Sequence, residues 1–173
     1  MSTPSRPKDS CRSAQHEGTP VTSPAVGALH PLLDRLVHQT GATLLDDPAS
    51  YDAWARQPGA AMVVFAEDPE RFKETLDLAV IVPELHATGG QHFRVGLLPP
   101  AASRVIAPRY GFARWPAFVM LRNGQYLGAV DGIRDWDVYT AELLRLLAAA
   151  PSRPPTVGIP VKAADQPAEP HCH

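Results

Sequence analysis

Residues 110–124 read YGFARWPAFVMLRNG, and this stretch decides the architecture. Asn123-Gly124 stands between two apolar runs, 117–121 (AFVML) and 125–130 (QYLGAV). Asn-Gly accepts the positive φ angles of a two-residue turn, so the pattern predicts a β-hairpin. Pro116 sits at the threshold of the first strand, where its missing N–H leaves no ladder bond unmade. Gly111 and Pro108 stop a short helix expected over 102–110.

Outward from the hairpin the pattern stays regular. Downstream, residues 136–149 put Trp136, Tyr139, Leu143, Leu146 and Leu147 on one helical stripe, with Trp136 expected in the core. Upstream, 92–98 (HFRVGLL) reads as a strand closed by Pro99-Pro100. Residues 78–87 read as a helix striped by Leu78, Ile81, Val82 and Leu85, kinked at Pro83 and ended by Gly89-Gly90. Residues 67–77 (EDPERFKETLD) read as a polar loop, and 61–66 (AMVVFA) as a buried strand. A short helix is expected over 50–56, with Ser50 as N-cap. Leu29, Leu32, Leu33, Leu36 and Val37 stripe a first helix. Strands that alternate with helices and then form a hairpin give the α/β class, a mixed β-sheet flanked by helices on both faces.

The chain has 173 residues, room for one domain with a substantial core. Residues 28–150 carry all the periodic segments. Residues 1–27 and 151–173 are rich in Ser, Thr, Pro and Ala without periodicity, and are expected to be disordered tails. The formal net charge of -2 argues against a nucleic-acid binder that neutralises phosphates. No apolar run approaches the roughly 18 residues of a membrane span, so no membrane insertion is expected. Arg6, Lys8 and Arg12 are followed by no apolar stretch, unlike a secretory signal, so a cytoplasmic location is expected. The two cysteines, Cys11 and Cys172, lie near opposite ends and form no CxxC. His171-Cys172-His173 lacks a regular zinc pattern, so no metal and no cofactor is expected. No catalytic triad, phosphate loop or dinucleotide fingerprint is present, and no catalytic residue is assigned.

Residues 110–124 resemble the thioredoxin stretch that runs from a Tyr-Gly pair through a cis proline into an Asn-Gly hairpin. Pro116 matches the cis proline, and Pro83 matches the proline of thioredoxin's active-site helix. Thioredoxin's cysteines would fall at Thr75 and Leu78, where no thiol exists. Thiol–disulfide exchange needs a thiolate and a resolving thiol, so the fold is expected to be thioredoxin-like and redox-inactive. Among such proteins the chain resembles the HyaE/HupG/HoxO-type hydrogenase expression family over about residues 30–148. The resemblance rests on Glu67-Asp68-Pro69, on Arg114-Trp115-Pro116-Ala117, and on Gly132-Ile133-Arg134-Asp135-Trp136.

The resemblance implies a chaperone, not an enzyme, for maturation of a membrane-bound nickel-iron hydrogenase. Its partner would be the small-subunit precursor with its twin-arginine signal peptide, and other maturation proteins as well. The residues are suited to this. Glu67, Asp68, Glu70, Glu74 and Asp77 oppose only Arg71 and Lys73 in the 67–77 loop, and arginine pairs well with carboxylates. Phe72, Trp115 and Pro116 complete the expected partner-binding set. Two other readings stand beside it: a thioredoxin-fold adaptor with another client, and a redox enzyme that borrows Cys11 or Cys172.

Overall fold

The computed structural model describes residues 29–155. In chain order they form α1 (Pro31–Thr40), β1 (Thr43–Leu44), α2 (Pro48–Ala55), β2 (Ala60–Phe65), α3 (Leu78–Thr88), β3 (Phe93–Leu98), α4 (Pro100–Ile106), β4 (Ala117–Arg122), β5 (Gln125–Asp131) and α5 (Trp136–Ala148). Short 3-10 turns, Lys73–Asp77 and Ala107–Arg109, precede α3 and follow α4. Among the described residues no helix is long and apolar enough to cross a membrane.

The sheet order is β1-β3-β2-β4-β5. β3 runs parallel to β1 and β2, and β4 runs antiparallel to β2 and β5. β2 is an unbroken apolar run because helices cover both of its faces. Its side chains alternate between two cores. Met62 and Val64 pack with Leu33, Leu36, Val82, Leu85, Phe118, Tyr139, Leu143 and Leu146, beneath α1, α3 and α5. Val63 and Phe65 pack with Tyr51, Trp54, Ile106, Tyr110 and Val119, beneath α2 and α4. The mixed sheet and its two helical layers agree with the expected class.

Local chemistry explains most boundaries. Asn123 and Gly124 have φ of 51° and 77°, the paired positive values of a type I′ hairpin turn. Asn123 also accepts from the Gly59 N–H at 2.8 Å and donates its own N–H to Gly59 O at 3.0 Å, which pins the hairpin to the start of β2. The Trp115–Pro116 peptide is cis, as the resemblance implied. Pro83 lies inside α3.

Four features differ from the sequence reading. Asp47, not Ser50, caps α2: its carboxylate accepts from Ala49 N and Ser50 N at 2.8 and 3.0 Å, while the Ser50 hydroxyl accepts from Asp47 N. This is a capping box shifted by Pro48, which is well placed in a first helical turn. The two-residue β1 was not anticipated, since it is too short to show a period. The 67–77 loop winds into a 3-10 turn over its second half. Trp136 is 46% exposed because it starts α5 beyond the end of the sheet; Tyr139, one turn later, is 3% exposed.

The packed chain runs past residue 150. Ser152 N–H donates to Tyr126 O at 2.8 Å across the outer edge of β5. The rest of the two expected tails, with Cys11, Cys172 and the His171-Cys172-His173 triplet, lies outside the described residues.

Candidate functional site

The sheet gathers the predicted residues at one end. Phe65, the last residue of β2, pairs with Leu98 at the end of β3 and with Ala117 at the start of β4; Ala117 in turn pairs with Asp131 at the end of β5. The 67–77 segment, the Trp115-Pro116 step and the 131–136 turn therefore issue from the same edge of the molecule.

Their side chains have unequal access. Glu70, Glu74 and Asp77 lie toward solvent more than the rest; Asp68, Phe72 and Trp115 are half-buried; Glu67 and Pro116 are buried. Glu67 faces inward to Arg104 of α4, whose Nε donates to Oε1 and Oε2 at 3.0 and 2.9 Å and whose Nη2 also donates to Oε1. The hydrogen-bonded Arg104 guanidinium holds the Glu67 carboxyl below its ordinary range. Glu67 is thus a strut within the fold, and its charge is compensated. Asp68 shapes the loop by accepting from Glu70 N at 3.0 Å. The Arg71 guanidinium lies 6.0 Å from the centre of the Phe72 ring.

Thr75 and Leu78, at the positions of thioredoxin's cysteines, are both buried. The Thr75 hydroxyl has no hydrogen-bond partner among the described residues. Residues 29–155 contain no cysteine, so a buried threonine and a buried leucine stand where a thiol pair would.

Sequence reasoning missed the device that shapes the opposite lip. Asp131 accepts from the N–H groups of Ala113 and Arg114 at 3.0 and 3.1 Å, and Arg134 Nη2 lies 3.0 Å from its Oδ1. Burial pushes the Asp131 carboxyl up, but these N–H groups and the guanidiniums of Arg114 and Arg134 outweigh it and leave it below the ordinary value. Gly132 N–H donates to Pro116 O at 2.8 Å, and the Tyr139 hydroxyl donates to Gly132 O at 3.0 Å. Asp131 sits at the end of β5 and bonds to the loop that precedes β4, 17 and 18 residues away, so no local spacing could reveal it. Phe112, also unmarked by the sequence reading, packs edge-on to Trp115 with ring centres 5.3 Å apart.

Charge at this end is asymmetric. Arg104, Arg114 and Arg134 are each paired with Glu67 or Asp131. Asp68, Glu70, Glu74, Asp77, Asp135 and Asp137 take part in no ion pair among the described residues, and neither do Arg71 and Lys73. Six free carboxylates against two free cations leave this end attractive to a cationic partner. A shallow cavity of about 680 Å³ opens at the other end, beside Trp54, His86, His92 and Arg94. Its Arg94 is already committed to the carbonyls of Trp54, Ala55, Gln57 and Pro58.

Known proteins agree with this fold. A thioredoxin variant from Halobacterium salinarum superposes with a TM-score of 0.51 at 16% identity, covering 64% of this chain and 94% of its own. Plasmodium falciparum thioredoxin gives 0.50 at 15% identity, over 60% and 98%. Both show the fold. The sequence is 41% identical over 143 residues to the hydrogenase expression/formation protein HoxO of Cupriavidus necator, covering 82% of this chain and 88% of that protein. HupG of Rhodobacter capsulatus, of the same description, is 32% identical over 75% and 94%. The family model described as hydrogenase-1 expression protein HyaE matches residues 32–139. With that match across most of a thioredoxin-like domain, the chain belongs to the HyaE family of hydrogenase expression proteins.

Proposed function

We propose that this protein is a binding chaperone in hydrogenase maturation, which holds the small-subunit precursor by its twin-arginine signal peptide in the cytoplasm before export. The observation that carries the reading is the set of free carboxylates beside half-exposed aromatic rings, at the end of the sheet where a thioredoxin keeps its thiols. Two adjacent guanidinium groups would find carboxylate partners on Glu70, Glu74 and Asp77, and the apolar part of a leader would find Phe72 and Trp115. Binding, not thiol exchange, is the role, because Thr75 and Leu78 carry no sulfur.

Co-purification of the precursor with the wild-type chain and with a Glu70→Lys/Glu74→Lys variant tests this. Both positions are exposed, so the fold should be unaffected. Capture should drop at least about tenfold in the variant and weaken with rising salt, since exposed charges are screened over roughly 10 Å at 0.1 M. Equal capture by both chains would remove the acidic turn from the site. A second arm adds a disulfide substrate and a reductant; turnover above background would overturn the non-enzymatic role.

A further inference from the structure

We infer that Ile133 and Trp136 form an apolar lip that takes the hydrophobic stretch following the arginines of a leader peptide, so that one peptide is read twice, by charge on the 67–77 turn and by apolar contact here. This rests on the reading above and extends it to residues that the acidic turn does not include. Ile133 and Trp136 are 45% and 46% exposed. Single exposed apolar residues are ordinary; three observations set this pair apart.

The pair is mounted on a fixed turn. Gly132 N–H donates to Pro116 O at 2.8 Å, Arg134 Nε donates to Asp131 O at 3.0 Å, and the Tyr139 hydroxyl donates to Gly132 O at 3.0 Å. A rigid lip loses little entropy on binding. The turn is also tied, through the Gly132 N–H, to the Pro116 carbonyl beside Trp115. Finally, the charges around the lip select its occupant. Asp135 and Asp137 flank Trp136 in the chain, and neither takes part in an ion pair among the described residues. An apolar segment with a cationic flank matches this surface. A second copy of the chain would bring another acidic end against it.

Calorimetric titration of the full chain with two synthetic peptides is the test. Both carry two consecutive arginines; one continues with about ten Leu and Ala residues, the other with Ser and Gly. The wild type should prefer the apolar peptide by about tenfold or more, the order expected for burying one or two large apolar side chains. Ile133→Ser/Trp136→Ser should cut that preference below about threefold. Glu70→Lys/Glu74→Lys should weaken both peptides alike and keep the preference. Because a double change near a helix start can disturb folding, Trp136→Phe serves as a second variant and should retain most of the preference. Full preference in the Ile133→Ser/Trp136→Ser chain overturns the lip, as does an absence of preference in the wild type, or a Trp136-dependent dimer in sedimentation. Precursor capture is measured separately, so loss of the lip and loss of the chaperone reading are distinct results.

Discussion

Glu67 shows how one residue can belong to a charged loop and yet be withdrawn from it. Its side chain is 5% exposed, and Arg104 neutralises it. The sign of its contribution follows from its lowered carboxyl. Stability from the pair is fully present above the unfolded glutamate value of about 4.3, and is lost as pH falls through the lower folded value. Glu67→Gln should therefore melt below the wild type at pH 7, and the gap should narrow as pH falls below about 4. Thermal melts at pH 7, 5, 4 and 3 check this, and a gap constant with pH would refute it. Arg94 works as a tie at the opposite end. It lies 4.7 Å from the centre of the Trp54 ring and donates to carbonyls at the end of α2, the closest being Pro58 O at 2.7 Å. Lysine has neither the fork nor the planar face. Arg94→Lys should cost about 1–3 kcal/mol, read from denaturant unfolding.

At the scale of elements, β5 is an edge strand, and the segment after α5 covers part of it. Gly111 makes this possible. Its φ is 63°, and a Cβ there would lie 2.4 Å from the Pro155 carbonyl oxygen. Backbone cannot swing aside as a side chain can, and positive φ strains an alanine. Gly111→Ala should therefore release residues 152–155 from Tyr126 and lower stability by about 1–3 kcal/mol. Hydrogen exchange at Ser152 N–H would rise sharply in this variant, while exchange in β2 would change little. Unaltered protection at Ser152 would show that the segment is held by other contacts.

At the scale of the molecule, the described residues between 29 and 147 already supply a core on each face of the sheet. A chain trimmed to 28–155 should thus keep its thermal midpoint within a few degrees of the full chain. A fall of more than about 10 °C by calorimetry would mean that the removed ends contribute to the core. Such a trimmed chain retains every residue of the acidic turn and the apolar lip.

What could be read from the residues in order was whatever rests on local chemistry. Asn123-Gly124 announced its hairpin because only residues tolerant of positive φ make that turn. The continuous apolar run of β2 and the stripes of α1, α3 and α5 announced burial because side-chain period follows from backbone geometry. The missing thiols at Thr75 and Leu78 needed only the sequence and a family resemblance. What tertiary structure alone decided was which charges are free. Glu67 and Glu70 look alike in sequence, but Arg104, 37 residues from Glu67, reaches only the first. Asp131 reaches back 17 and 18 residues to Arg114 and Ala113 and shapes the lip without any local signature. Trp136 obeys the helical stripe of α5 and is nonetheless exposed, because the sheet ends before the helix begins. Periodicity reports which way a side chain points, and only the packed fold determines whether anything stands there to meet it.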